Sequence, residues 1–244
     1  MRTFLTGEWR DLAMLNHAVD PALLEPFVPR GTELDTFDGR TFVSLVGFRF
    51  INTRVLGVPV PGHRAFEEVN LRIYVRRQVQ GETRRAVTFI RELVPRPMIA
   101  AVARLTYNEP YRSAPMRHEI TGGAVADSSR SVEYSWRLGS DWAGLHVHAE
   151  GAGAEAAAGS EAEFITEHYW GYTRQRDGSS VEYRVEHPRW RVWPATTSRV
   201  FGDLSAVYGE DFARILERPA TSAFIADGSA VRVGWPKRIA AEPR

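Results

Sequence analysis

Glu68-Val69-Asn70-Leu71-Arg72-Ile73-Tyr74-Val75-Arg76 is the most regular alternation in the chain. Val69, Leu71, Ile73 and Val75 fall on one side, and Glu68, Asn70, Arg72, Tyr74 and Arg76 on the other. A period of two is the signature of a strand. The polar side has two readings. It is the solvent face of an open sheet, or it is the polar interior of a closed barrel whose Val and Leu face packs outward against helices. The immediate neighbours leave both open.

Outward from this strand the chain continues as sheet. Gly81 turns it into a partner over residues 84–93, which puts Arg76-Arg77 and Arg84-Arg85 near the hairpin tip. That reads as a solvated basic tip rather than a nucleic-acid patch. Upstream, residues 11–19 read as a strand, and Asp20-Pro21 starts a short helix, with Asp20 as the cap and Pro21 at the first helical position. Pro29 and Gly31 end that helix. Residues 33–37 and 40–51 flank Asp38-Gly39, a pair that accepts positive φ and predicts a hairpin. Residues 57–63, with two prolines and two glycines, read as a loop.

Downstream, Met98, Ala101, Val102 and Leu105 recur at helical spacing over residues 97–106. Strands follow at 112–120, 131–138 and 142–150, then an Ala/Gly/Glu-rich loop over 151–159. Ser160 and Glu163 form a capping box ahead of Phe164 and Ile165. Two strands surround Asp177-Gly178 and end at Val192. A helix covers 204–216, and a last hairpin, 223–225 with 230–235, closes on Asp227-Gly228. Strand and helix do not alternate regularly, so the pattern favours an α+β, mainly antiparallel sheet closed or curled on itself, with a few peripheral helices. No linker divides residues 1–244, which read as one domain.

Composition narrows the function. The net charge is +1, without the basic excess that marks many nucleic-acid binders. No stretch of roughly 18 apolar residues is present to span a membrane. Residues 1–8 lack the layout of a signal peptide, and with no cysteine the chain is expected in the cytoplasm. The absence of cysteine also removes disulfides, thiolate nucleophiles and zinc-thiolate sites. Only one of the 31 lysines and arginines is a lysine, Lys237, in the C-terminal tail. Arginine stays charged and forms no Schiff base, whereas lysine does so once its pKa is lowered. Phosphate-cradling and Gly-x-Ser-x-Gly patterns are absent.

Several clusters carry chemistry. Glu68, Asn70 and Arg72 share one strand face. Arg104, Tyr107, Asn108, Glu109 and Tyr111 crowd a helix-to-strand junction, where the alternative to a site is helix capping by Asn108 with the tyrosines as packing. His146 and His148 lie on one strand face with Glu150, a set able to take a divalent metal, against the plainer reading of two half-exposed histidines. His168 to Tyr172 reads chiefly as aromatic packing, and His187 as a structural histidine.

The segments Phe4 to Arg10, Pro29 to Thr32, Phe42 to Phe48 and Glu67 to Arg72 resemble domain-of-unknown-function family 2071. So do Tyr107-Asn108-Glu109-Pro110-Tyr111 and Val231 to Trp235. The resemblance spans nearly the whole chain. That family is grouped with the acetoacetate-decarboxylase-like superfamily, which implies a cone-shaped antiparallel barrel with helices outside and a pocket inside. The related decarboxylases carry Arg-Glu-x-x-Gly-Phe-Pro-Lys, whose lysine forms the Schiff base. Here Arg104 precedes Pro110 at the same interval and Tyr111 stands at the lysine position. Their pocket glutamate follows an aromatic residue by two, as Glu68 follows Phe66.

The resemblance therefore implies a small-molecule pocket without the Schiff-base lysine. The expected activity is acid–base chemistry of the lyase or isomerase type on a small carbonyl or carboxylate compound. Glu68 and Tyr111 would be catalytic, and Arg72, Arg104, Asn70 and Tyr107 would bind substrate. The alternatives are a non-catalytic binding barrel and a metal-binding barrel using His146 and His148. No cofactor, metal, nucleic acid or membrane is expected as a partner. A homo-oligomer is expected by analogy only.

Overall fold

The computed structural model describes residues 2–59, 62, 64–122 and 129–239. Val60, Pro61 and His63 of the expected loop lie outside them. The first half of the chain forms β1 (Thr3–Val19), α1 (Pro21–Leu24), β2 (Glu33–Leu34), β3 (Thr41–Val55), β4 (Val58–Pro59), β5 (Phe66–Val79), β6 (Glu82–Val94), α2 (Pro97–Thr106) and β7 (Tyr111–Ser113). The second half forms β8 (Met116–Gly122), β9 (Ser129–Arg137), β10 (Trp142–Glu150), β11 (Ala154–Glu155), α3 (Glu161–Thr166), β12 (Trp170–Arg174), β13 (Ser180–Glu186), β14 (Arg191–Phe201), α4 (Ser205–Leu216), β15 (Ser222–Gly234) and β16 (Lys237–Ile239).

The alternating stretch is β5, and it is buried on both faces. Val69, Leu71, Ile73 and Val75 are fully buried in a core shared with Val132 and Tyr134 of β9, Leu145 and Val147 of β10, and Phe212 and Leu216 of α4. Each such side chain contributes roughly 1.5–3 kcal/mol by leaving water. On the other face Glu68 and Asn70 are each 3% exposed. The solvent reading of that face is therefore excluded, and its polar side chains are enclosed. Its outward apolar partner is mainly a second sheet layer of β8, β9 and β10, with α4 beside it.

The strand pairings are mostly antiparallel. β1 pairs β3, β3 pairs β5 and β5 pairs β6. β6 then runs parallel to β12, which pairs β13. β13 pairs β15 through Val185 and Val233, and β15 pairs β1, so the chain of pairings returns to its start. β14 leaves this circuit: Val192 to Pro194 pair β15, and its distal half pairs β10 of the second layer. α3 packs Phe164 and Ile165 on the side of β5 that carries Tyr74, and α2 adds Ala100 to the same apolar cluster.

Several sequence expectations change, among them the loop at 57–63, which holds β4, and the strand at 112–120, which is split into β7 and β8. The first strand begins at Thr3, not at residue 11. Asp38-Gly39 is a turn, but only Phe37 and Arg40 bridge across it, because β2 pairs β5 instead. The last hairpin is one continuous strand, β15. Gly228 has φ 74° and faces Arg10 within the ladder, where a Cβ would collide with the Trp9 carbonyl, so it is an irregularity inside the strand. β1 is irregular at the same point, with Asp11 at φ 56°, and its pairing with β15 resumes at Leu12 and Ala226. The arginine tip is not a free basic patch, since Arg76 bonds Glu33 at 2.9 Å, Arg85 bonds Asp35 at 2.8 Å, and Arg77 and Arg84 both reach Glu182. The expected 160-helix does hold, with Ser160 Oγ accepting the Glu163 N–H at 3.2 Å.

The two layers meet closely at Gly47 of β3. A Cβ there would lie 2.5 Å from Cδ2 of Tyr134, which is fully buried and donates its hydroxyl to the Asp11 carbonyl at 2.9 Å. Gly47→Ala should lower unfolding free energy by roughly 1–3 kcal/mol, the usual cost of overpacking. Urea titration measures it, and an unchanged midpoint would mean that the layers have room to part.

Candidate active site

Three adjacent strands assemble the site. Asn70 of β5 faces Glu92 of β6 in the antiparallel ladder, and Glu92 faces Tyr111 of β7 in the parallel one. Paired residues point to the same side of a sheet, so these three form a row. A register shift between Leu71 and Arg72 adds a residue to β6. As a result Phe89 and Glu92, an odd number of positions apart, line the same cavity. The helix-to-strand junction supplies the rest. Asn108 has φ 60°, a left-handed conformation that asparagine tolerates. Its backbone N–H donates to the Arg104 carbonyl at 3.0 Å and its Nδ2 to the Arg174 carbonyl at 2.8 Å. This turn ends α2, and Glu109 and Tyr111 follow it into the interior. The junction is both a helix cap and part of the site.

The cavity has a volume of about 290 Å³. Trp9, Phe48, Phe50, Phe66 and Phe89 form much of its wall, with Phe50 and Phe66 stacked at 4.8 Å. Its polar part holds three carboxyls, those of Glu68, Glu92 and Glu109. Tyr111 donates its hydroxyl to Glu68 Oε2 at 2.9 Å, and Asn70 Nδ2 donates to Glu68 Oε1 at 3.2 Å. Tyr183 donates to Glu109 Oε1, where Thr173 adds a longer contact. Gly171 faces Tyr183 across β12 and β13, and a Cβ at 171 would overlap the Tyr183 ring. The glycine thus sets the position of the tyrosine that holds Glu109.

Burial raises all three carboxyl pKa values because the charged form loses its hydration. Glu68 is pushed up to about 8, with the Asn70 and Tyr111 hydrogen bonds opposing and the nearby Glu109 adding to the rise. Burial likewise takes Glu109 up to about 7, against the bonds from Tyr183 and Thr173. Glu92 lies well above the usual carboxylate range through burial and then the charges of Glu109 and Glu68. Tyr111 ionises well above 10 for the same reasons, so it stays a donor. Burial thus brings the Glu68 and Glu109 carboxyls toward neutral pH, the range useful to a general acid or base.

The sequence-derived site residues separate into two groups. Glu68, Asn70, Arg72, Tyr107 and Tyr111 all line the cavity. Arg72 gives Nε to the Tyr74 hydroxyl at 3.3 Å and Nη2 to the Ile165 carbonyl at 3.0 Å. Tyr107 lends its ring, while its hydroxyl donates to the Gly234 carbonyl at 2.9 Å. Arg104 is not brought in. It is exposed on α2 and its Nε bonds the Ala100 carbonyl one turn back, so the expected anion anchor faces away. Glu92 and Tyr183 were not singled out from the sequence, and Glu109 was seen only as part of its cluster. The adjacent charged pair Arg91-Glu92 inside the mainly apolar run 86–94 was the available signal, and it does not say which of the two points into the cavity.

The other candidates lie elsewhere or play other parts. His146 bonds Ser131 at 2.8 Å and His148 lies 3.5 Å from Glu150. Among the described residues no three His, Asp or Glu side chains converge to hold a metal. His168 and His187 do line the cavity. His168 is pushed down to about 4 by burial, despite Asp35 at 3.7 Å, and His187 stacks on Trp190 at 4.3 Å. Lys237 is exposed on β16 and is not among the lining residues.

The fold resembles that of solved acetoacetate-decarboxylase-like structures. It overlays an acetoacetate decarboxylase from Legionella pneumophila with a TM-score of 0.66 and 13% identity, covering 98% of this chain and 88% of that one. An acetoacetate decarboxylase-like enzyme from Sphingomonas wittichii RW1 gives 0.66 and 14%, covering 99% and 95%. The enduracididine biosynthesis enzyme MppR, with HEPES buffer bound, gives 0.69 and 11%, covering 100% and 90%. More particularly, residues 6–230 match the DUF2071 family, described as an uncharacterized conserved protein, and the chain belongs to that family. The protein YqjF of Bacillus subtilis (strain 168) is 30% identical over 183 residues, which cover 74% of this chain and 72% of that protein.

The buried carboxyls make stability depend on pH in a defined direction. Glu68 and Glu109 bind protons more tightly folded than unfolded, so their contribution is complete below 4.5 and is lost as pH rises through about 7 and then about 8. His17 and His168, lowered from 6.5 to about 4, act in the opposite sense, but only below 6.5. Between pH 6.5 and 8 the urea midpoint should therefore fall, and Glu68→Gln should flatten that slope. A midpoint that rises over this window would contradict the raised carboxyls.

Proposed function

We propose that the cavity is the active site of an enzyme that moves protons on a small carbonyl or carboxylate compound. Glu68 is the acid or base and Tyr111 the donor that polarises the substrate oxygen. The observation that carries this reading is the 2.9 Å bond from Tyr111 to Glu68 inside an aromatic-walled cavity. A carboxyl that titrates near neutrality beside a phenol that keeps its proton is suited to removing a proton next to a carbonyl while the phenol supports the developing oxyanion. Arg72 Nη1 donates to no described residue and is the remaining candidate for a substrate carboxylate. We read the returning circuit of strands as the closed, cone-shaped barrel wall around the site. The same reading takes the chain as one cytoplasmic domain whose partner is a small molecule.

A binding protein without chemistry is the second reading. It is favoured by the engagement of both Glu68 oxygens, one by Asn70 and one by Tyr111. The two separate in a panel of small ketones, 2-oxo acids and 3-oxo acids, followed by NMR in D₂O. The enzyme should exchange substrate protons for deuterium or release product. Glu68→Gln and Tyr111→Phe should each slow this by about 100-fold or more while leaving the fold intact. Full activity in both variants would remove the assignment, and ligand-induced thermal stabilisation without exchange would favour the binder.

A further inference from the structure

Around its three carboxyls the cavity leaves acceptor atoms without a donor. Glu68, Glu92 and Glu109 are all at least nine-tenths buried. Among the described residues no arginine or histidine forms a salt bridge with any of them. Buried acids are ordinarily paired with a cation. Two further atoms show where the missing partner belongs. Glu92 Oε2 and Asn70 Oδ1 are buried and have no hydrogen-bond partner. They belong to facing residues on β6 and β5, and both residues line the cavity. Asn70 is not an acid, and its amide is oriented by the bond from Nδ2 to Glu68. Its free carbonyl oxygen asks for a donor, as the facing Glu92 oxygens do once that carboxyl is ionised. An unsatisfied acceptor of this kind costs free energy that a ligand N–H recovers. The aromatic wall beside it suits both an apolar body and a positive charge.

We infer that the cavity binds a small organic cation, a protonated amine whose N–H groups meet Glu92 Oε2 and Asn70 Oδ1 and whose apolar body lies against Phe48, Phe50, Phe66 and Phe89. This rests on the reading of the cavity as the ligand site, and adds that the substrate carries a basic nitrogen besides its reacting group. Arrival of the cation favours ionised carboxyls, so binding releases protons to solvent.

Calorimetry on the full chain at about pH 7.5, where alkylamines are protonated, tests this with 2-phenylethylamine, 2-phenylethanol and 3-phenylpropionate. The amine should bind at least about tenfold more tightly than the alcohol, with proton release read from the dependence of the heat on buffer ionisation. Glu92→Gln and Asn70→Leu should each weaken the amine by about tenfold and weaken the alcohol by a smaller factor. Equal affinity for amine and alcohol overturns the inference on the unaltered protein alone, whether or not either variant folds. Preference for the carboxylate overturns it too, while leaving the acid–base reading of Glu68 and Tyr111 intact. Tight amine binding supports the cation site even where the simple ketones and oxo acids, which lack a basic nitrogen, exchange no deuterium, and an amino ketone that binds without exchange then removes the acid–base reading.

Discussion

From Glu68 to Val75, strand β5 has no face left for water, and the rest of the structure answers to that constraint. A strand whose odd positions are Val69, Leu71, Ile73 and Val75 must cover that side, and the β8–β9–β10 layer with α4 does so. The same strand carries Glu68, Asn70 and Arg72 on the opposite side, where the circuit of neighbouring strands encloses them. A cavity with a polar part follows from burying both sides of one alternating segment. Gly47 lets the outer layer approach closely through Tyr134, and aromatic rings form much of the wall on the inner side.

Enclosing three carboxyls without cations is costly, because an isolated buried carboxylate is strongly disfavoured. The chain limits the cost by hydrogen bonding and by protonation. Tyr111 and Asn70 hold Glu68, and Tyr183 holds Glu109 from a position that only a glycine at 171 leaves free. What remains is carried by raised pKa values, which turns a stability cost into groups able to trade protons near neutrality. Perturbed acids gathered in a cleft are a recurring mark of functional sites.

A second polar network explains how the site is braced. Arg72 bonds Tyr74, whose hydroxyl donates to Ser44 at 2.7 Å. Ser44 donates to Asn16 at 2.6 Å, and Asn16 donates to Ser222 at 3.0 Å. These residues sit on β5, β3, β1 and β15, so four consecutive strands of the circuit are tied through buried side chains as well as through backbone. Each link satisfies a group that would otherwise be a buried orphan. Arg72 is thereby fixed at the cavity edge with Nη1 donating to no described residue.

The sequence by itself determined what depends on neighbours along the chain. The period of two gave β5, the Ser160 cap gave α3, and Asn108 marked the end of α2. The cluster from Tyr107 to Tyr111 was legible as a site candidate because it packs hydrogen-bonding groups into five residues. The lysine count removed Schiff-base chemistry from the interior once Lys237 was found exposed. Only the tertiary structure decided which face of β5 looks inward, since alternation fixes two faces but not what covers each. It alone placed Glu92 in the cavity, because the register shift at Leu71/Arg72 breaks the period on which a face assignment rests. It also turned Arg104 outward, as a residue at the end of a helix is aimed by the packing of that helix and not by its spacing from Tyr111. Pairing across strands far apart in sequence is set by the burial of the whole sheet, and no local pattern encodes it.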